Sequence, residues 1–116
     1  MMSRANRASV LLCNGCCCGH PEKGNPVLPK ARLLADWAAQ GLEDTVLLRF
    51  VDCLGPCERA NVVVVKADGE AFWLADLKTA DYDTLAAWAL ASQSAAMPPP
   101  LPEPLTARRI PPRGSI

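Results

Sequence analysis

The sequence predicts an α/β fold with a mixed four-stranded sheet and two main helices. Four apolar runs have the length of strands, and they lie at residues 9–13, 45–51, 61–66 and 70–75. Two further stretches, 30–40 and 81–92, repeat apolar residues at the spacing of an α-helix. Near residue 95 both patterns stop and a proline-dense composition begins. The order is therefore strand, helix, three strands, helix and tail.

The first strand and the first helix have clear ends. A turn signal at Asn14-Gly15 follows the buried run of the first strand. Pro29 suits the first position of a helix, and Gly41 suits the residue that ends it. The helix between them places its apolar residues on one face, which we expect to be buried: Leu33, Leu34, Trp37 and Ala38.

The later strands are indicated by composition and by one turn. Residues 45–51 are rich in branched and aromatic side chains, which is typical of a strand. Four consecutive valines within 61–66 indicate a strand that is buried on both faces. Asp68-Gly69 is a strong hairpin signal, so residues 70–75 should return antiparallel.

These elements define one domain. A helical crossover makes the first two strands parallel, and the last two form a hairpin, which is the arrangement of a thioredoxin-like domain. Asp81 or Thr79 can cap the second helix. We expect a flexible N-terminus over residues 1–8, the domain over 9–94, and a disordered Pro/Arg-rich tail over 95–116.

The composition excludes several classes of function. The 116 residues carry 12 basic and 12 acidic side chains, which argues against a nucleic-acid binder. No apolar run reaches the roughly 18 residues of a membrane span, and Val10-Leu11-Leu12 is too short for a signal peptide. We therefore expect a cytoplasmic protein with no membrane association. Because thiols stay reduced there, its six cysteines should be ligands or redox groups.

The cysteines fall in two groups, each directly after a predicted strand. The first group runs from Cys13 to Cys18 and the second consists of Cys53 and Cys57. Parallel neighbouring strands end on the same edge of a sheet, so the two groups can meet. Four thiolates are what a [2Fe–2S] cluster requires. Glycines near the ligands, at positions 15, 19 and 55, would let backbone N–H groups approach the sulfides.

The second cysteine loop carries a family resemblance. Cys53-Leu54-Gly55-Pro56-Cys57 resembles the second ligand motif of thioredoxin-like [2Fe–2S] ferredoxins and of the related small iron–sulfur subunit of respiratory complex I. In that subunit four residues separate the first two ligands, as they separate Cys13 from Cys18 here. Residues 12–20 are also similar to a sub-group of small ferredoxin-domain proteins, some linked to cobalamin biosynthesis. The resemblance covers residues 9–92.

The resemblance implies a one-electron carrier that is not an enzyme. Its implied ligands to the [2Fe–2S] cluster are Cys13, Cys18, Cys53 and Cys57. Many stand-alone members space the first two ligands more widely, and no cysteine lies there in this chain. Three adjacent cysteines therefore compete for the second position: Cys18 is our choice by spacing, with Cys17 and Cys16 as alternates. The implied partner is a redox protein, either a reductase or an acceptor enzyme.

Two other chemistries remain open at this point. Cys13-x2-Cys16 with Cys53-x3-Cys57 nearly matches the ligand spacing of a zinc site, so a zinc- or cobalt-binding metal-handling protein is the alternative. Cys13-x2-Cys16 could also be the redox pair of a thiol–disulfide oxidoreductase. That chemistry needs a helix N-terminus beside the thiolate, and the first helix begins only near Pro29.

The remaining polar and aromatic candidates have structural interpretations. We expect His20 to be an exposed loop residue rather than a ligand, and the acidic residues 76, 81 and 83 to serve loops and a helix cap. The three tryptophans should pack in the core. A partner should dock over the two cysteine loops, around His20, Leu54 and Pro56. An exposed hairpin edge would permit a homodimer.

Overall fold

The computed structural model describes residues 8–14, 18, 20–52, 59–67, 69–95 and 98–111. Over these residues the helices are α1 (Lys30–Gln40) and α2 (Thr79–Ser94). The strands are β1 (Ala8–Cys13), β2 (Val46–Val51), β3 (Val63–Ala67), β4 (Glu70–Leu74) and β5 (Arg109–Ile110). Neither of these helices combines the length and the apolar character that crossing a membrane requires.

One sheet joins the strands in the order β2-β1-β3-β4-β5. β1 pairs parallel with β2 on one side and antiparallel with β3 on the other. β3 and β4 form an antiparallel hairpin. The predicted parallel first pair and the predicted hairpin are therefore both confirmed. The connection from β1 to β2 runs through α1, as a parallel pair requires.

The first helix has the predicted ends and a narrower buried face than predicted. Gly41 follows α1 in the left-handed conformation with φ of 61°, and its N–H closes the last turn. Leu33 and Trp37, four residues apart, are buried, and the indole Nε1 of Trp37 donates to the Val46 carbonyl at 2.8 Å. Leu34 is 48% exposed, so its predicted burial is wrong. Ala38 is exposed as well, so only Leu33 and Trp37 of the expected face are buried.

Both helices pack on one face of the sheet and form the main core. Strand residues alternate between faces, so Val10 and Leu12 point to the helices while Leu11 and Cys13 point away. The opposite face carries a second core, which consists of Cys13, Cys18, Val62, Val64, Trp73, Ala75 and Ile110. All three tryptophans are buried in one core or the other, as predicted.

The proline-rich segment packs on the domain. Leu105 is fully buried in the main core, and the Pro99 carbonyl accepts the indole N–H of Trp88 at 2.8 Å. Ile110 pairs with Trp73, which adds β5 to the sheet. The prediction of a four-stranded sheet is therefore wrong, and residues 98–111 do not form an unpacked tail. Apolar side chains that lie between or after the prolines, such as Leu105 and Ile110, are buried and hold this segment against the domain.

Both edges of the sheet are partly closed by other groups. On the outer edge of β2, the N–H of Leu48 donates to Glu43 Oε2 at 3.0 Å, and its carbonyl accepts from Arg49 Nη1 at 2.7 Å. On the other edge, β5 covers the end of β4 at Trp73 and Leu74. Less of the hairpin edge is therefore available for pairing between copies than the sequence predicted.

Candidate metal centre

The two parallel strands end side by side at the first cysteine. Cys13 is the last residue of β1 and lies opposite Val51, the last residue of β2. The N–H of Asn14 donates to the Val51 carbonyl at 2.7 Å, so the pairing continues one residue beyond the strand. The sequence prediction that these strands share an edge is therefore confirmed.

The sulfur of Cys13 lies next to the chain that leads into the second cysteine loop. Cys13 is buried, and its Sγ is 3.9 Å from the carbonyl oxygen of Asp52. Asp52 directly precedes Cys53 in the sequence. The other predicted loop residues lie outside the described residues: Gly15, Cys16, Cys17, Gly19, Cys53, Leu54, Gly55, Pro56 and Cys57. Over the part of the chain that is described, no three His, Cys, Asp or Glu side chains gather as a metal site would need.

Val62 joins the two cysteines that are described. Its carbonyl accepts the N–H of Cys13 at 3.1 Å, and its own N–H donates to the Sγ of Cys18 at 3.3 Å. Cys18 is only 1% exposed and shares the second core with Cys13. An amide N–H directed at a sulfur stabilises negative charge on it, as the surroundings of iron–sulfur ligands do. The structure thus brings together two of the predicted ligands in one dry environment.

His20 lies in the loop after the cysteines, as predicted, with its side chain 39% exposed. Its Nδ1 is 2.8 Å from the Oε2 of Glu22, a partner that the sequence did not predict. A backbone hydrogen bond at Glu22 and the side chain of His20 lower the pKa of that carboxyl below its ordinary value. His20 therefore has an exposed acidic partner, which fits a surface role.

Tyr82 belongs to the main core and carries a buried hydroxyl. It is fully buried on α2, and among the described residues its hydroxyl has no hydrogen-bond partner. Burial raises the pKa of Tyr82 above its ordinary range; the Asn61 side chain opposes the rise, and the sulfurs of Cys18 and Cys13 add to it. A buried hydroxyl without a partner costs about 1–3 kcal/mol. Helical spacing could assign Tyr82 to the core, but nothing in the sequence shows that its hydroxyl is buried without a partner.

The first helix begins well after the first cysteines in the sequence. Cys13 ends β1, whereas α1 begins at Lys30 after a loop and a short 3₁₀ turn at Pro21–Lys23. A redox-active thiol pair of the thioredoxin type depends on a helix N-terminus that lowers the thiol pKa. The described part of the loop provides no α-helix at that position. The predicted separation between the first cysteines and the first helix is therefore confirmed.

The strand order, with both helices packed on one face of the sheet, is the arrangement of a thioredoxin-like fold. The structure is similar to that of the wild-type thioredoxin-like [2Fe–2S] ferredoxin from Aquifex aeolicus, with a TM-score of 0.53 and 19% identity over 92% of this chain and 99% of that one. A second structure of a thioredoxin-like [2Fe–2S] ferredoxin from Aquifex aeolicus gives a TM-score of 0.55 and 20% identity over 92% and 93% of the chains.

At these identities the likeness establishes the fold. No family model matches the sequence, and no curated protein matches it. The thioredoxin-like fold predicted from the sequence is therefore confirmed. The finer resemblances, to the complex I subunit and to the cobalamin-linked sub-group, stay predictions.

Proposed function

We propose that this protein is a small [2Fe–2S] ferredoxin, a one-electron carrier without catalytic turnover of its own. The observation that carries the proposal is the pair of hydrogen bonds at Val62, whose carbonyl accepts the N–H of Cys13 and whose N–H donates to the Sγ of Cys18. They hold two buried cysteines together at the shared end of two parallel strands. The likeness to two thioredoxin-like [2Fe–2S] ferredoxins supports the same function.

The residues at this site fit such a cluster. Four thiolates are required, and the proposed ligands are Cys13, Cys18, Cys53 and Cys57, with Cys17 and Cys16 as alternates for the second. Burial of Cys18 beside Val62 supports its choice over the alternates. Cys53 follows Asp52, whose carbonyl lies beside the Cys13 sulfur, and this supports including the second loop.

A bound cluster of this type supplies one-electron redox chemistry. The chain contributes the surroundings of the sulfurs. Val62 directs its N–H at Cys18, which stabilises negative charge on that sulfur. Trp73 and Ile110 help to keep water from both cysteines because they are buried in the same core. The backbone bonds of Cys13 and Asn14 hold the strand ends in one position.

The proposed partner is a redox protein, a reductase or an acceptor enzyme, in the cytoplasm. It would dock at the sheet edge where β1 and β2 end, over the two cysteine loops. His20 follows Cys18 by two residues in the sequence and is partly exposed, so we include it in this surface. Leu54 and Pro56 belong to the same proposed surface.

A zinc- or cobalt-binding metal-handling protein is the second candidate. The same buried sulfurs would serve it, and the Cys13-x2-Cys16 spacing favours it. The two candidates differ in what the purified protein contains. We therefore propose purification without oxygen, followed by visible absorption and by iron, sulfide and zinc analysis.

The ferredoxin proposal predicts a brown-red protein with equal amounts of iron and acid-labile sulfide. Its visible absorption should decrease when dithionite is added. A colourless protein with stoichiometric zinc would refute the ferredoxin proposal and support the second candidate.

A further inference from the structure

Asn61 is a fully buried polar residue that lies two residues before β3 and directly before Val62. We propose that Asn61 is a positioning residue for the cysteine site. Its side chain and its backbone carbonyl together hold the N–H of Val62 on the sulfur of Cys18. The inference deepens the proposed function, and it rests on that function only where Cys18 is taken as a ligand.

The peptide group that joins Asn61 to Val62 is hydrogen-bonded on both sides. Its N–H, which belongs to Val62, donates to the Sγ of Cys18 at 3.3 Å. Its carbonyl, which belongs to Asn61, accepts the N–H of Leu77 at 3.2 Å. Because a peptide group is planar, bonds on its two sides leave it little freedom to turn. The contact with Leu77 therefore helps to direct the N–H at the sulfur.

The side chain of Asn61 bonds a second point of the loop that carries Cys18. Its Nδ2 donates to the carbonyl of Pro26 at 2.9 Å. Pro26 follows Cys18 by eight residues in the sequence. Two adjacent residues, Asn61 and Val62, thus bond two separate points of one loop, and they fix the loop relative to the start of β3.

Residues 20–25, between these two points, form a compact turn. Three backbone hydrogen bonds of 2.9 to 3.3 Å close it, from Lys23 and Asn25 to His20 and from Gly24 to Pro21. A turn closed in this way has little freedom of its own. The bond at Pro26 therefore restrains His20 as well, which follows Cys18 by two residues.

The burial of an amide at position 61 is accounted for by this contact. A buried amide costs free energy unless it is hydrogen-bonded. An apolar side chain would continue the run of valines that begins at Val62 without that cost. The Asn61 amide offsets the cost by its bond to the loop.

Two substitutions separate this role from general packing. Asn61→Ala removes the Nδ2 donor and keeps the backbone. Thr79→Val is the matched control, because the Oγ1 of Thr79 donates to the carbonyl of Val27, the residue after Pro26, at 3.1 Å. The control removes a bond to the same loop without changing the residue beside Val62.

Hydrogen–deuterium exchange at the Val62 amide tests the inference on the full chain as purified, whichever metal it holds. Fragmentation mass spectrometry compares Val62 with Val65, which is paired on both sides within the sheet and reports opening of the sheet. We expect Asn61→Ala to speed exchange at Val62 about tenfold relative to Val65, as loss of one hydrogen bond would. Thr79→Val should leave the ratio in place.

An unchanged ratio in Asn61→Ala, or an equal change in both variants, would overturn the inference. If Asn61→Ala does not fold, Asn61→Ser takes its place with the same expectation. Its hydroxyl lies one bond nearer the backbone and is too far from Pro26 to replace the 2.9 Å contact.

The reduction potential of the bound cluster tests the consequence for the ligand. Hydrogen bonds to ligand sulfurs stabilise the more negative, reduced state and so raise the potential. We expect Asn61→Ala to shift the potential to more negative values and Thr79→Val to leave it in place; an unmoved potential in Asn61→Ala would overturn the role at the sulfur. A chain that holds zinc refutes the ferredoxin proposal, while exchange at Val62 still tests Asn61.

Discussion

Arg108 and Asp81 join the proline-rich segment to the second helix. The Nε of Arg108 lies 3.1 Å from the Oδ2 of Asp81, a carboxylate that is almost fully buried. The same oxygen accepts the N–H of Lys78 at 2.7 Å, at the start of α2. One carboxylate therefore satisfies the helix N-terminus and fixes residues 98–111 against the domain.

Replacing that carboxylate should destabilise the domain. We expect Asp81→Ala to lower the unfolding free energy by about 2 kcal/mol, since a hydrogen bond to a charged group contributes about 1.5–3 kcal/mol. Asp83→Ala is the matched control, because its ion pair with Arg32 is exposed and contributes less than about 1 kcal/mol. Urea denaturation of both variants measures the difference. Equal losses would contradict the role of Asp81.

Burial of Leu105 makes the proline-rich segment part of the core. We expect Leu105→Ala to lower the unfolding free energy by about 2–5 kcal/mol, the usual cost of truncating a buried leucine. Leu90→Ala removes the same atoms from α2, where the side chain is 41% exposed, and should cost much less. If both variants unfold at the same urea concentration, the segment is not packed as described.

Glu43 should protect the outer edge of β2 from pairing with another strand. Its carboxylate accepts the Leu48 N–H and the Arg49 guanidinium. We expect Glu43→Ala to increase self-association, because the amide of Leu48 is then open to a second chain. Asp44→Ala removes the same charge from the 3₁₀ turn Leu42–Asp44 that also holds Glu43, and it should not increase self-association. Sedimentation velocity at several concentrations measures this, and equal behaviour would contradict the edge role.

Serine substitutions should identify the second ligand. We expect Cys13→Ser and Cys18→Ser to lose the cluster, because both sulfurs lie buried around Val62. Cys16→Ser and Cys17→Ser should retain it. Iron and sulfide per chain after anaerobic purification is the measurement. If Cys18→Ser keeps the cluster and Cys17→Ser loses it, Cys17 is the second ligand instead.

The fold was predictable wherever a local pattern and the tertiary context agreed. Gly41 ends α1 because a left-handed residue is needed there, and that requirement is visible in the sequence. The parallel strands β1 and β2 end side by side at Cys13 and Val51. This arrangement was predictable because a single helix connects the two strands. The position of Cys13 at the end of the first strand was predictable for the same reason.

Features that depend on contacts between distant segments were not predictable. β5 is two residues long and exists because the N–H of Ala75 and the strand β4 are available to pair with it. Leu34 has a helical spacing suited to burial, yet it is 48% exposed because the buried face of α1 is limited to Leu33 and Trp37. The burial of the Tyr82 hydroxyl depends on how α2 packs against the sheet, which no sequence spacing specifies.

Native mass spectrometry of the anaerobically purified chain tests the central claim most directly. The ferredoxin proposal predicts a species heavier than the chain by two iron and two sulfide ions, absent from Cys13→Ser and Cys18→Ser and present in Cys16→Ser and Cys17→Ser. A wild-type species that carries a single zinc or cobalt ion, or no metal at all, would contradict the claim.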